Sequence, residues 1–214
     1  MSQVSRGGPG LGIIGPVSVP TPPPGLVERL PPPPGEQLRP FLEATANCLA
    51  RHGLSRCSMS DIAREMGVSR STVYRQLGSV ENAAWMLLSR DLHAFYDTLP
   101  ELFAGAHGPE VIIRPLSALL RQAWSNPVLA KVLRDEPDFV GRALISHIGP
   151  MLEQGAHMMA PLYRDLMDAG GIRRQDPVAL AHWILRVFMM LTIAPPPTDV
   201  DRLLDDMLLP VLAP

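Results

Sequence analysis

Cysteine is scarce in this chain of 214 residues, and the two present, Cys48 and Cys57, are too few for a disulfide framework or for a zinc site built on cysteine ligands. Both read as reduced thiols, with Cys48 packed on a helix. Long apolar runs are missing as well. No stretch of about 18 uncharged apolar residues occurs, and the first residues lack the charged-then-apolar order of a secretory leader. Neither a membrane span nor export is expected, and the expected address is the cytoplasm. Catalytic spacings are absent too: there is no H-E-x-x-H, no G-x-S-x-G, no glycine-rich phosphate loop and no Cys/His pattern for zinc. His147 and His157 stand ten residues apart, too far for joint ligation. The sequence therefore predicts no enzyme, no metal and no cofactor.

What is present is an apolar fraction of 46%, ample for a core, and a net charge of -2 that hides an asymmetry. Residues 36–90 hold seven Arg against five acids, whereas residues 91–214 hold ten Lys plus Arg against fifteen acids. Affinity for nucleic acid follows such local clustering more than the total. Residues 1–40 contain eleven Pro and seven Gly, which removes backbone donors and opposes helix and sheet alike. A disordered or polyproline-like tail over 1–35 is the expectation, with no site assigned to it.

From residue 36 onward the spacing turns helical. Leu38, Phe41, Leu42, Thr45 and Leu49 share one face, and Arg51-His52-Gly53 closes the helix. Ser58, with Asp61 three residues on, forms a capping box for a short second helix that Gly67 ends. Ser69 caps a third helix to about Leu77, and Ser79 caps a long fourth. Beyond Pro100 the pattern predicts further helices over 109–124, 126–134, 137–145, 147–168, 177–192 and 198–209, with no alternating strand pattern. The fold class is all-α. An amino-terminal three-helix unit over 36–82 is joined to a larger helical domain over 83–214.

Two short helices around Gly67-Val68-Ser69 meet the needs of a helix-turn-helix, which lays its first helix across the DNA backbone and its second in the major groove. At 100° per residue, Val73 and Leu77 turn to the core, Ser71, Thr72 and Arg75 turn away, and Arg70 and Tyr74 fall at the flank. Arg70 and Arg75 suit bidentate bonds to guanine, the Thr72 methyl suits thymine, and the Tyr74 hydroxyl suits a phosphate. Three packed helices with a polar outer face would share this composition.

The order and spacing of Asp61-Ile62-Ala63, Gly67-Val68-Ser69 and Thr72-Val73-Tyr74 closely resemble the DNA-binding region of TetR-family transcriptional regulators. The resemblance is specific over about Phe41 to Leu92 and architectural beyond. It implies a phosphate contact at Ser58, with Ser60 near the backbone, and a reading surface of Ser69, Arg70, Ser71, Thr72, Tyr74, Arg75 and Gln76 on double-stranded operator DNA. Leu77 replaces a common aromatic. Val80 stands where the family usually has a phosphate-binding Lys, a contact that Arg39 or Arg56 would have to replace.

The resemblance further implies a homodimer built from the last two long helices, with Trp183, Val187, Phe188, Leu203 and Met207 at the seam. The helix from Pro177 is apolar nearly all round, as either a seam or a central core helix would be. Between the domains' ends, Phe95, Leu120, Trp124, Phe139, His147, Met151, Gln154 and Met158 are candidates to line a cavity for a small apolar effector, and they are equally the residues of an ordinary helical core. The functional expectation is a ligand-responsive repressor released from a palindromic operator. A helical ligand- or partner-binding module with weakened DNA contacts is the alternative, suggested by Val80 and the small net charge.

Overall fold

A computed structural model describes residues 34–214, the side chains of Tyr96, Leu99, Pro100, Ala143 and His147 excepted. The expected tail thus lies outside the described residues save for its last two positions. A 3-10 turn at Glu36–Leu38 leads into nine α-helices among the described residues: α1 Arg39–His52, α2 Met59–Met66, α3 Arg70–Leu77, α4 Val80–Phe103, α5 Glu110–Ser125, α6 Pro127–Asp135, α7 Pro137–Asp168, α8 Pro177–Ile193 and α9 Val200–Leu212. The chain is all-α.

Local chemistry accounts for most of these boundaries. Side-chain oxygens of Ser58, Ser69, Ser79, Asn126, Asp176 and Asp199 each accept from a free amide in the first turn of the helix that follows. Pro137 and Pro177 open α7 and α8 at positions where a missing N–H leaves nothing unpaired.

One expectation is corrected. No interruption occurs near residue 146: α7 runs unbroken for 32 residues, about 48 Å, through Pro150 and Pro161. An interior proline costs about 3 kcal/mol or more in helix propensity, which tertiary packing has to offset. Here α7 lies along α8, with Gly155 so close to Leu185 that a Cβ would meet its Cδ1 at 2.8 Å. The long fourth helix, α4, ends at Phe103.

Burial divides into two clusters. The first joins Leu42, Leu49, Ile62, Val73 and Leu77 of α1–α3 to Ala83 and Leu87 of α4. The second gathers Leu116, Leu120, Ala156, Tyr163, Leu180, Ile184, Leu204 and Leu208 from α5 and α7–α9. Between α5 and α9, Asp201 accepts from Ser117 and pairs with Arg121. Helix α6 packs on α1, and its Val128 lies against the first cluster.

Both cysteines are buried and free. Burial, with Cys48 alongside, pushes the Cys57 thiol up to about 12, so its thiolate is negligible at neutral pH. Iodoacetamide is therefore expected to leave Cys57 unmodified in the folded protein and to alkylate it in guanidinium. Mass spectrometry reads the difference, and rapid labelling of the native chain contradicts this account.

Candidate nucleic-acid interface

The site begins with the turn between α2 and α3. Ser58 accepts from the Asp61 amide at 3.2 Å while Asp61 accepts from the Ser58 amide at 3.0 Å, the reciprocal pairing that a capping box requires. At the other end Gly67 takes φ 67°, ψ 27°. The Val68 amide then donates to Ala63 O at 3.0 Å and the Gly67 amide to Arg64 O at 3.3 Å, a Schellman closure that fixes the path into α3.

Helix α3 is seated by Val73 and Leu77, both at 0% exposure. Ser69 accepts from the Thr72 amide, and its hydroxyl meets those of Ser71 and Thr72 at 2.9 and 2.8 Å. Asn82 of α4 donates to Leu77 O at 2.8 Å, which ties the end of α3 to the start of α4. The reading helix is thus held at both ends.

Arg70, Ser71 and Arg75 are exposed, while Thr72 and Gln76 are half-buried. Tyr74, expected at the flank, stands 62% exposed. Neither the Arg70 nor the Arg75 guanidinium has a partner among the described residues. By contrast Arg51 pairs with Glu65, and Arg64 pairs with Asp61 at 2.9 Å. The outer face of α3 therefore presents two free forks, one hydroxyl and one phenol.

The neighbouring positions are more constrained. The Ser58 hydroxyl donates to Asp61 at 2.5 Å, so a phosphate arriving there has to displace that contact or use the free first-turn amides instead. Ser60 is half-buried. Val80 packs against the first core cluster, and Arg39 lies 3.8 Å from Glu36. Arg56 is exposed on the connection between α1 and α2.

The hydrogen bonds from Ser58 hold the Asp61 carboxyl below its usual range, and the bond from Arg51 does the same for Glu65. A carboxylate with a lowered folded pKa adds stability above its unfolded pKa and loses it as pH falls through the folded value. The α1–α2 pair is therefore expected to keep its stability down to about pH 4.5 and to weaken progressively below it. Urea midpoints between about pH 6 and pH 3 check this, and the double variant Asp61→Asn, Glu65→Gln should flatten the decline.

The residues expected around an effector differ in exposure. Leu120 is wholly buried, Phe95 is buried, Gln154 and Met158 are half-buried, and Phe139 and Met151 are exposed. The side chain of His147 lies outside the described residues. Trp124 lines a cavity of about 310 Å³ together with Ala123, Leu129, Ala130, Leu133, Arg134, Thr192, Ile193 and Pro195, where α5, α6 and the end of α8 meet. Its indole N–H donates to Leu191 O at 3.0 Å. Lys131, the one lysine of the chain, pairs with Asp135 at 2.5 Å on the same α6. None of the α6 residues in that lining stands among the eight candidates. Sequence reasoning missed His93 on α4, whose Nε2 is buried without a hydrogen-bond partner. A lone His on a long amphipathic helix gives no local signal of that state.

Of the residues expected at the seam, Trp183 is 37% and Met207 is 46% exposed, while Val187, Phe188 and Leu203 are half-buried. Phe188 packs on the second core. Trp183, Val187 and Met190 form one outward stripe on α8. On α9, Leu203 and Met207 lie outside the buried row Val200, Leu204, Leu208 and Leu212. Among the described residues no helix is long and apolar enough to cross a membrane, and no group of three His, Cys, Asp or Glu side chains is placed to hold a metal.

A three-helix head with an outward-facing second helix of the turn, carried on a larger helical body, is a helix-turn-helix arrangement. The family model described as "Bacterial regulatory proteins, tetR family" matches residues 41–79. An uncharacterised HTH-type transcriptional regulator of Mycobacterium tuberculosis is 24% identical over 148 residues, covering 69% of this chain and 75% of that protein. A TetR-family transcriptional regulator from Pectobacterium atrosepticum shares the fold with a TM-score of 0.62 at 18% identity, covering 84% of this chain and 95% of its own. The SmeT–triclosan complex does so with a TM-score of 0.60 at 19% identity, covering 84% and 93%. Residues 41–79 thus form a TetR-family DNA-binding domain, and the chain as a whole is similar to HTH-type transcriptional regulators.

Proposed function

We propose that this regulator works as a homodimer that reads a palindromic operator with its two α3 helices, represses transcription there, and is released by a small apolar effector. The observation that carries the reading is the pair of unpartnered guanidiniums, Arg70 and Arg75, on a short helix anchored by Val73 and Leu77. Guanine offers two acceptors in the major groove that match such a fork, and Ser71 and Tyr74 stand beside them for the backbone. Ser58, Ser60, Ser69, Thr72 and Gln76 complete the proposed surface. One helix reads few base pairs, so two copies are needed, and the outward apolar stripes of α8 and α9 are where a second copy fits.

For the effector, the cavity between α5, α6 and α8, which Trp124 of the expected set lines, is the place to look. Its lining is apolar apart from Thr192 and Arg134. The bound triclosan in the SmeT structure supports an apolar ligand for a relative of this fold. Because α6 also packs on α1, filling the cavity would bias the head, and DNA and effector would each lower the other's affinity. Val80, turned into the core, favours a weaker variant of the same reading. The salt dependence should then be shallower than that of a relative with Lys there, by about 0.9 in slope per subunit.

The test is selection from random-sequence duplexes, followed by binding of the enriched duplex across a salt series. Enrichment of a two-fold symmetric site with a steep salt slope supports the reading. Failure to enrich any sequence at low salt overturns it.

A further inference from the structure

Glu136 lies between α6 and α7, and its backbone is committed to both: its amide donates to Val132 O at 3.0 Å, and its carbonyl accepts from the Val140 amide at 3.1 Å. Its carboxylate does something else. It reaches across to the connection between α1 and α2, 81 residues away in sequence, where the Ser55 amide donates to Oε1 at 3.1 Å and to Oε2 at 3.2 Å, and the Ser55 hydroxyl donates to Oε2. One side chain thus takes both donors of a single residue in the head. Gly53 supplies an independent observation. It sits at φ 79°, ψ 174°, a region that side chains avoid, and a Cβ there would run into the Glu136 carboxylate. The connection is shaped around that carboxylate, and it leads directly to Ser58 and the first turn of α2.

We propose that Glu136 is a positioning residue for DNA binding, its carboxylate holding the Gly53–Ser58 connection, and with it the start of α2, in register with α6. The proposal rests on the DNA-binding reading above and names the side chain through which the larger domain sets the head. Packing of α6 on α1 alone would let the connection slide, since apolar contact is not directional. One amide shared between both oxygens of an anion, with a hydroxyl donating beside it, fixes both distance and direction.

The experiment compares the wild type with Glu136→Ala and Glu136→Gln on the enriched duplex at fixed salt. Melting temperature and amide exchange at Ser55 are read alongside. In Glu136→Ala the operator Kd should rise about tenfold, about 1.4 kcal/mol over the two subunits, and Ser55 exchange should quicken. The melting temperature should barely move. Gln keeps one acceptor and should recover part of the affinity. Where the alanine variant does not fold, Glu136→Gln and Ser55→Ala carry the same comparison on a smaller scale. A merely structural tie predicts the opposite split, with a lowered melting temperature and an unchanged Kd for the folded fraction, and that result overturns the proposal. A wild type that enriches no duplex sinks the DNA-binding reading itself. Normal wild-type binding with unchanged Kd in the variants sinks this inference alone.

Discussion

Arg75→Ala should weaken operator binding at least about 30-fold. Arg75 is exposed, has no partner in the described protein and lies on the outer face of α3, so its removal leaves no buried charge and no cavity. The fold and melting temperature should be unchanged, since surface substitutions of this kind stay within about 0.5 kcal/mol. On DNA, a bidentate contact to guanine contributes about 1–3 kcal/mol of discrimination. Two subunits double this to about 2–6 kcal/mol, a rise in Kd of about 30-fold to about 10⁴-fold. Arg75→Lys separates the two components of the effect: it keeps the charge and loses the fork. If Arg75 reads a base, Lys should restore little specificity. If it contacts phosphate, Lys should restore most of the affinity, and the alanine variant should lower the salt slope by about 0.9 per subunit. Fluorescence anisotropy on the enriched duplex and on a scrambled one distinguishes these outcomes. Equal binding by wild type and Arg75→Ala would remove α3 as the reading element.

The second large effect is on stability. Ile62 is at 0% exposure, on the inner face of α2 in the first core cluster. Ile62→Ala removes methyl groups from a site closed by the other helices of the head and should cost about 2–5 kcal/mol. Against a typical total of about 5–15 kcal/mol for a domain, that is enough to melt the head on its own. Because the second cluster shares no residue with the first, the larger domain should keep its transition. Urea unfolding followed by circular dichroism should then separate into two steps, with DNA binding lost in the first. A single cooperative transition shifted by less than about 1 kcal/mol would mean that the two cores are not independent.

How far the sequence could be read depended on the range of the interaction. The capping box at Ser58 and Asp61, the caps at Ser69 and Ser79 and the closure at Gly67 are contacts within a few residues, and each was legible from residue type and spacing. The inward turn of Val73 and Leu77 followed from helical period alone. The same arithmetic put Tyr74 at the flank and Thr72 outside, whereas Tyr74 stands exposed and Thr72, its hydroxyl against that of Ser69, is half-buried. The break expected near residue 146 does not occur, because α7 gains its support from α8, which the local sequence does not contain. Glu136 and Ser55 are 81 residues apart, and Trp124 and Leu191 are 67 apart. No local pattern announces such pairs, which is why the cavity wall at α6 and the clamp on the head emerged only once the helices were placed.

The solitary lysine on α6 has a practical side. Apart from the terminal amine, Lys131 is the one primary amine in the protein, so a fluorophore chosen for amines attaches at a known place without mutagenesis. That place lies on the short helix whose neighbours are the cavity on one flank and the head on another. A single dye there would change colour or lifetime with either kind of partner, and titrating each in the presence of the other would trace the thermodynamic square directly.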